Sequence, residues 1–293
     1  MSLISKLFSK FSVKNDSNIN DDLHFLMAQV NVGLSRAAYA HLTRLIRPSQ
    51  PITWEFSGFS QNGEDGIIEY VLRHVKHPNY YFVEIGSSDG SENNSSLLAF
   101  GKRYSGLMIE GETKKSKLCE QLFCKLSSPY IKCSNTFVTL GNTSYLLNQI
   151  AYSNPDMFSI DIDGNDFHIL QAMLKTGFHP KLVVVEYNAT FGDKLSVTIP
   201  YDEKFQWGSN NSWYYFGASI VAWRKLLESN GYQFITCERA GSNAFFIDKN
   251  QFHDFLPDDF TPTYFLDNQS CSIIQKGWKE RISEIDIDKL IEI

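Results

Sequence analysis

Oxygen-bearing side chains follow two apolar segments that the sequence predicts to be neighbouring strands. Asp161 and Asp163 alternate with apolar residues at the end of the predicted strand 158–163, so both should point to one side of that strand. Glu186 and Asn188 follow the next strongly apolar run with the same spacing. Because ligands of open α/β sheets bind outside the carboxyl ends of the strands, we expect these four side chains to converge on one site.

Two kinds of chemistry suit this group. Asp161, Glu186 and Asn188 are predicted ligands of Mg²⁺ or another hard divalent cation, which prefers oxygen ligands. Without a metal, the same group can hold substrate hydroxyls, with Asp163 or His168 as the general base. His168 follows the acidic group and titrates in a range that suits proton transfer near neutral pH. A structural alternative stays open, in which the aspartates cap the following helix and His168 is an ordinary helix residue.

A glycine-containing loop follows the first predicted strand and has the pattern acidic-x-Gly-x-x-x-Gly. Glu84 begins it, Gly86 and Gly90 are its glycines, and Ser88 and Asp89 lie between them. Glycine lets the backbone approach a bulky ligand without a side-chain clash. The G-x-G-x-x-G pattern that cradles the pyrophosphate of a dinucleotide is absent. The loop therefore suits S-adenosylmethionine (SAM), whose cationic methionine end would lie near Glu84 and which has no phosphate.

A second carboxylate supports this interpretation of the loop. Glu110 ends the second predicted strand and follows Glu84 by 26 residues, about one strand–helix–strand repeat. An acid at this position can accept hydrogen bonds from both ribose hydroxyls of a bound nucleoside. We expect SAM to bind with its ribose on Glu110, and we also assign Asp161 to the cofactor site. A chance glycine turn and a surface glutamate remain the structural alternative.

The elements that must position these residues are strands alternating with helices. Apolar runs at 80–85, 107–109, 130–138, 158–163 and 182–185 predict successive strands, with helical patterns between them. Such alternation predicts a parallel sheet covered on both faces. Two last strands, 232–237 and 244–247, are close enough to form an antiparallel hairpin. The predicted fold is α/β: a Rossmann-like, mostly parallel seven-stranded sheet of class I SAM-dependent methyltransferase type, with an N-terminal helical extension.

Composition excludes several other classes of protein. The 293 residues carry a formal net charge of −6, which argues against a nucleic-acid-binding protein, because such proteins need a basic surface. Five widely spaced cysteines without a CxxC pair suggest neither a disulfide framework nor a zinc site. No apolar run approaches the roughly 20 residues of a membrane span. Reduced thiols and the absence of an export signal predict a cytoplasmic protein.

Two features of the N-terminal part predict contacts outside the catalytic domain. Residues 1–14 form a short amphipathic pattern with lysines on one side, which can contact an anionic membrane surface weakly. A packed or frayed terminal helix is the simpler interpretation of that pattern. Residues 23–46 predict one long helix with an apolar stripe that includes Leu23, Val30 and Leu34. We expect this stripe to make a homo-oligomer contact, or else to pack on the core.

Several blocks of the chain together resemble the FkbM-type family of SAM-dependent methyltransferases, in particular a branch found with glycan-biosynthesis enzymes. The blocks are Ser60 to Ile68, Phe82 to Asn94, Met108 to Gly111, Asp161 to Asp166, Val185 to Asn188, Tyr215 to Ser219 and Asn243 to Phe246. They divide the chain into a helical extension (1–55), a methyltransferase domain (56–250) and a C-terminal extension (251–293). Gln61, in the first block, is assigned to the cofactor site.

The resemblance implies methyl transfer to an alcohol, with a sugar or glycan intermediate as the acceptor. Asp161 and Asp163 also look like the pair in metal-dependent sugar O-methyltransferases, where one aspartate holds Mg²⁺ and the other is the base. In those enzymes two adjacent acids after the fifth strand complete the metal site. Here the positions are Glu186 and Tyr187, so the second acid is missing and Asn188 is the predicted substitute.

An aromatic-rich insertion follows the last parallel strand, at residues 188–216. Tyr201, Phe205, Trp207 and Trp213 are among its aromatic side chains. Aromatic faces suit the apolar faces of sugar rings, and a long loop at this position can act as a lid. The alternative is an aromatic cluster that simply packs beneath the loop.

Overall fold

Strands of the chain form one large sheet and one small one. The computed structural model describes residue 23 and residues 25–34, 45–126, 130–208, 212–267 and 276–293. Within these ranges the strands are β1 (Tyr81–Ile85), β2 (Ser105–Glu110), β3 (Ile131–Asn135), β4 (Met157–Ile160), β5 (Leu182–Glu186), β6 (Val197–Thr198), β7 (Gln233–Cys237), β8 (Asn243–Ile247) and β9 (Ile291–Glu292).

The large sheet has seven strands in the order β3-β2-β1-β4-β5-β8-β7. Strands β1 to β5 pair in parallel, whereas β8 is antiparallel to both of its neighbours, β5 and β7. The chain order reverses between β1 and β4, so the strand ends on either side of this point form a crevice. This is the Rossmann-like fold of class I SAM-dependent methyltransferases, and it confirms the predicted fold class.

Helices cover both faces of this sheet because its strands are apolar on both faces. They are α1 (25–34), α2 (Glu64–Leu72), α3 (Ser96–Gly101), α4 (Thr113–Lys125), α5 (Thr143–Leu147), α6 (Asp166–Lys175), α7 (Ile220–Ser229) and α8 (Trp278–Arg281). On one face Val83 and Phe158 pack with α6 and α7, and on the other Phe82 and Met108 pack with α2, α3 and α4. Buried strands of this kind are typical of parallel sheets.

Three predicted boundaries differ from the structure. β4 ends at Ile160, three residues before the predicted end, because the chain leaves the sheet at Asp161. The short helix α3 was not predicted, since six residues carry too little periodicity to recognise. The apolar residues Leu146, Leu147 and Ile150 predict a helix, and the structure has one that begins and ends three residues earlier, as α5. Gly177 predicts the end of the helix that contains Leu174, and its left-handed conformation, with φ of +91°, confirms this.

The N-terminal predictions are only partly covered by the described residues. Phe25 and Ala28 of α1 are buried against the core, and Lys125 lies 3.5 Å from the centre of the Phe25 ring. Leu23 and Val30, from the predicted stripe, are more than half exposed. Residues 35–44 and the predicted membrane-contacting segment 1–14 lie outside the described residues. The homo-oligomer contact stays a prediction.

The C-terminal residues pack against the aromatic insertion. β9 pairs with β6 inside the insertion, and Ile285 joins Phe191, Val197 and Tyr215 in a small buried cluster. An aromatic cluster beneath the loop is therefore present, as in the structural alternative for this segment. Among the described residues, no helix is long and apolar enough to cross a membrane.

Candidate functional site

The glycine loop after β1 lies directly against the chain that leaves β4. A Cβ atom on Gly86 would be 1.6 Å from the carbonyl oxygen of Asp161, and Gly86 has a φ of +88°. The Asp161 amide also donates a hydrogen bond of 3.0 Å to the Ile85 carbonyl. Gly86 is therefore needed for contact between two loops of the protein, and its predicted approach to a ligand stays a prediction.

A side chain at Gly90 would also clash with another part of the protein. Its φ is +79°, and a Cβ there would lie 2.9 Å from the Phe123 ring and 3.1 Å from the Cys119 sulfur of α4. Ser88, between the two glycines, also adopts a left-handed conformation, with φ of +51°. The loop is thus tightly curved and packed beneath, and this packing positions its backbone at the crevice.

Glu84 is buried and bound by its own loop. Its carboxylate accepts hydrogen bonds from the amides of Asn94 and Ser95, at 2.9 and 3.2 Å, and from the Ser95 hydroxyl. Burial raises the pKa of this carboxyl to about 7, although the hydrogen bonds lower it. Glu84 therefore anchors the segment leading into α3, and its predicted contact with the methionine end of SAM stays a prediction.

Glu110 at the end of β2 faces the glycine loop. One carboxylate oxygen accepts a 2.9 Å hydrogen bond from the Ser88 amide, and the other accepts one of 2.7 Å from the Glu112 amide. The structure thus brings Glu110 and Ser88 together, as an acid beside a cofactor loop requires. Asp89 accepts hydrogen bonds from Ser91 within the loop, at 3.0 Å from its amide and 2.6 Å from its hydroxyl.

Gln61 lies near the far end of the same loop. Its side-chain amide donates a 2.6 Å hydrogen bond to the Glu92 carboxylate. This contact brings the first block of the resemblance next to the glycine loop. A cofactor contact by Gln61 remains a prediction.

Three carboxyl groups meet where β4 and β5 end. Carboxylate oxygens of Asp161, Asp163 and Glu186 all lie within 4.8 Å of one another, so the three could hold one metal ion. Burial raises the pKa of Asp161 well above its usual range, and the neighbouring charge of Asp163 adds to this rise. Burial also raises the pKa of Glu186, and the neighbouring charge of Asp161 adds to this rise. Among the described residues no lysine or arginine forms an ion pair with any of the three.

The predicted meeting of Asp161 and Asp163 is correct, but the predicted reason is wrong. Both residues lie beyond the end of β4, so strand alternation does not orient them. Asp163 instead adopts a left-handed conformation, with φ of +57°. Burial raises the pKa of the Asp163 carboxyl, whereas the nearby charge of Lys115 lowers it.

Asp166 shapes this loop and was not among the predicted site residues. Its buried carboxylate accepts hydrogen bonds from the amides of Ile162 and Gly164, at 2.7 and 2.8 Å. Asp166 begins α6, where the helix dipole favours a carboxylate. Burial nevertheless raises the pKa of Asp166 to about 6. Asp166 thus binds the loop amides, and the helix that it begins has no side-chain cap. An acid at the predicted helix start was the signal in the sequence that could have identified it.

Asn188 does not belong to the acidic group, which corrects its predicted role as a metal ligand. Its side-chain oxygen accepts a 2.9 Å hydrogen bond from the Thr190 amide. Its side-chain nitrogen donates to the carbonyls of Tyr214 and Phe216, at 2.7 and 2.9 Å. All of these bonds hold the two ends of the insertion together, and the side chain is buried among them. The residue lies two positions after β5, where the chain has already left the sheet.

His168 contacts the insertion. Its Nε2 lies 2.8 Å from the Ile199 carbonyl oxygen, which requires a proton on that nitrogen, and its ring lies edge-on to Tyr201. The ring therefore fixes the insertion to α6. This contact supports the structural alternative for His168, and its role as a base stays a prediction.

The insertion covers the loop that carries the acids. A Cβ on Gly164 would be 2.3 Å from the Phe205 ring, so the ring rests directly on this glycine. The Asn165 side chain donates a 2.8 Å hydrogen bond to the Asp202 carbonyl. Beyond Phe205, Trp207 and Trp213 form an edge-to-face pair with ring centres 4.7 Å apart, and both are about half exposed. An exposed aromatic pair thus follows the residue that contacts the acidic loop.

No protein-family model and no curated protein sequence matches the chain. Among solved structures, an O-methyltransferase from Bacillus cereus in complex with S-adenosylhomocysteine (SAH) is 13% identical, covering 84% of this chain and 96% of that one, with a TM-score of 0.42.

Two further solved structures are similar at the same level. The O-methyltransferase TomG from Streptomyces achromogenes, in complex with SAM, is 13% identical and covers 83% of this chain and 93% of that one, with a TM-score of 0.42. The Methanococcus jannaschii fibrillarin pre-rRNA processing protein is 12% identical and covers 63% of this chain and 73% of that one, with a TM-score of 0.39. These likenesses are too distant to indicate an activity for this chain.

Proposed function

We propose that the chain is a SAM-dependent O-methyltransferase that acts on a hydroxyl of a sugar or glycan intermediate with the help of a divalent cation. The observation that carries the proposal is the meeting of Asp161, Asp163 and Glu186 beside the loop that Gly86 packs against Asp161. Carboxylates that crowd together repel one another, so a site that gathers three of them at the ligand-binding edge of this fold suits a cation.

The residues around the glycine loop fit SAM. Glu110 lies at the end of β2 with both carboxylate oxygens directed at loop amides, one of which belongs to Ser88. A carboxylate oxygen has more than one lone pair, so the same group can accept bonds from two ribose hydroxyls. SAM would supply a methyl group activated by its positive sulfur, and the loop from Gly86 to Gly90 would hold its methionine end.

Asp163 is the proposed base. A neutral hydroxyl is a poor nucleophile, so its proton must leave as the oxygen attacks. The oxygen forms a bond to the methyl carbon while the carbon–sulfur bond breaks, and the hydroxyl proton passes to the Asp163 carboxylate. The role of the fold is to hold the hydroxyl in line with that carbon–sulfur bond, because orientation supplies much of the acceleration.

Asp161 and Glu186 are the proposed metal ligands. They have the oxygen donors that Mg²⁺ and similar cations prefer, and their carboxylate oxygens lie within 4.8 Å of each other. A bound cation would withdraw electron density from the acceptor hydroxyl and make its proton easier to remove. It would also relieve the repulsion between the three acids.

The exposed aromatic pair supports a sugar as the acceptor. Trp207 and Trp213 stay about half exposed although they are large and apolar. They follow Phe205 by two and eight residues, and the Phe205 ring contacts Gly164, next to Asp163, which supports an aromatic surface near the proposed reaction site. Aromatic faces pack well against the carbon–hydrogen faces of sugar rings.

Calorimetric titration with SAM tests the cofactor part of the proposal. Glu110→Ala should weaken SAM binding by about 1.5–3 kcal/mol, the value of a hydrogen bond to a charged group. Glu112→Ala is a matched control, because the Glu112 side chain is exposed and only its amide contacts Glu110. Wild-type affinity in the Glu110 variant would contradict the ribose assignment.

Transfer of labelled methyl groups to sugar nucleotides and lipid-linked glycans tests the base. Asp163→Asn should reduce turnover by about 10²–10⁴-fold, the usual contribution of a general base. His168→Gln can still donate to the Ile199 carbonyl and should stay within about 10-fold of wild type. The opposite pattern would make His168 the base, and transfer only to alcohols other than sugars would refute the acceptor class.

A further inference from the structure

Asn243 lies opposite Glu186 in the sheet. It is the first residue of β8, and the antiparallel pairing of β5 with β8 places it directly across from the last residue of β5. Directly opposed residues in such a pair project to the same face, with Cβ atoms about 4.5–5.5 Å apart. The side chain of Asn243 therefore lies on the face that carries the Glu186 carboxyl, at the same edge of the sheet.

The orientation of the Asn243 side-chain amide is determined by Glu64. The side-chain nitrogen of Asn243 donates a 2.9 Å hydrogen bond to one carboxylate oxygen of Glu64. The other carboxylate oxygen of Glu64 accepts a 2.7 Å hydrogen bond from the backbone amide of Asn62. Glu64 is only 1% exposed, so water does not compete for these bonds. Because a carboxylate can only accept, the nitrogen must face Glu64 and the side-chain oxygen of Asn243 must face the other way.

That oxygen is buried and has no hydrogen-bond partner. Asn243 as a whole is 7% exposed. An unpaired acceptor in a buried position is costly, and native proteins rarely keep one without a purpose. Glu186, which lies directly opposite Asn243, belongs to one group of carboxyls with Asp161 and Asp163, and all three accept hydrogen bonds when they are ionised. A further acceptor beside three acids suits a cation.

We infer that the side-chain oxygen of Asn243 is the third protein ligand of the divalent cation held by Asp161 and Glu186, and that Glu64 is the positioning residue that turns this oxygen toward the metal. The inference rests on the proposed metal and specifies its ligands. The residue that completes the site then comes from the antiparallel strand β8, across the sheet from Glu186.

Titration with MnCl2, followed by the electron paramagnetic resonance signal of free Mn²⁺, tests the inference without requiring turnover. Wild-type protein should bind one ion, and Asp161→Asn should lose that site. Asn243→Ala should raise the Kd for Mn²⁺ at least about 10-fold, because it removes the ligand oxygen. Glu64→Gln should raise the Kd by about 10–100-fold, as is usual for residues that orient metal ligands.

Each alternative result has a definite meaning. Unchanged Mn²⁺ binding in Asn243→Ala overturns the inference, while the loss in Asp161→Asn keeps the metal site of Asp161 and Glu186. Equal weak binding by wild type and Asp161→Asn overturns both the metal and the inference, and SAM titration of the wild type still tests the methyltransferase proposal separately. If Asn243→Ala does not fold, Glu64→Gln decides the outcome: a raised Kd supports the inference, and wild-type affinity overturns it.

Discussion

The two ends of the central sheet both bury carboxylates, but only one end neutralises them. At the amino ends of the strands, Asp156 precedes β4 and accepts hydrogen bonds from the amides of Asn79 and Tyr80, at 3.0 and 2.9 Å. Lys181 precedes β5 and donates to the same carboxylate at 2.7 Å and to the His77 carbonyl. Both charged side chains are almost completely buried, and each has a partner.

At the carboxyl ends, several acids are gathered without a buried cation among the described residues. Burial raises the pKa values of Asp161 and Glu186, and a neighbouring charge adds to each rise, that of Asp163 for Asp161 and that of Asp161 for Glu186. Burial raises the pKa of Glu84 to about 7 and that of Glu238 to about 8. The amino end is therefore arranged for stability, whereas the carboxyl end keeps an uncompensated negative charge that a bound cation or cationic ligand would relieve.

The sharpest test of this comparison removes one charge at each end. Lys181→Met should destabilise the protein by about 3–5 kcal/mol, because it leaves the buried charge of Asp156 without a partner. Asp161→Asn should leave the unfolding free energy unchanged or raise it, because it removes a repulsive carboxylate, and should lower methyl transfer by at least about 10²-fold.

Urea unfolding of both variants, with methyl transfer measured per folded molecule, provides the readout. Folded Lys181→Met should keep wild-type transfer, since the amino ends lie at the opposite edge from the site. Equal destabilisation by the two substitutions would mean that the carboxyl-end acids are as well paired as Asp156, and the contrast would then be wrong.

The next largest expected effect is a difference in unfolding free energy between substitutions at two glycines. Gly86 and Gly177 both have left-handed backbones, with φ of +88° and +91°, but only Gly86 has a close neighbour, the Asp161 carbonyl. Gly177→Ala should cost about 1–2 kcal/mol for the backbone conformation alone. Gly86→Ala adds a clash with backbone and should cost more than about 3 kcal/mol and abolish SAM binding. Similar unfolding free energies for the two variants would show that the loops can separate without loss.

The smallest expected effect is a dependence of stability on pH. Glu84 and Glu238 have folded-state pKa values of about 7 and about 8, above the ordinary value of 4.5. The folded protein thus holds protons that the unfolded chain releases, so their contribution is fully present below pH 4.5 and is lost as the pH rises through about 7 and about 8. Stability should fall by more than about 1 kcal/mol between pH 5 and 8.

Urea unfolding across this range in wild type and Glu238→Gln is the measurement. In Glu238→Gln the unfolding free energy should fall much less at the alkaline end of the range, because Glu238 has the higher of the two folded-state pKa values. A wild-type stability that rises toward pH 8 would show that these carboxyls are ionised in the folded protein and that the carboxyl end is compensated after all.

Much of the fold could be predicted because local patterns are strong where strands are fully apolar. β1, β5, β7 and β8 lie within a residue or two of their predicted positions, since buried strands in this fold are continuous apolar runs. The end of β4 could not be predicted, because FSIDID alternates as a strand does although the chain turns away at Asp161. The left-handed conformation of Asp163 and the Asp166 carboxylate, which accepts a hydrogen bond from the Ile162 amide, hold that turn. No repeating pattern in the sequence marks either feature.

The sequence by itself determined the order of the strands along the chain, the acids that end them, and the glycine loop beside them, because these are local properties of consecutive residues. Only the tertiary structure decided which side chains are free to bind a ligand. Asn188 follows the acids in sequence, but its side chain forms its hydrogen bonds with backbone groups of the insertion. Asn243 is 57 positions after Glu186, yet the pairing of β5 with β8 places it opposite that residue with a free oxygen. Pairing between distant strands and the use of hydrogen bonds are properties of the folded chain, so no local pattern could distinguish these two asparagines.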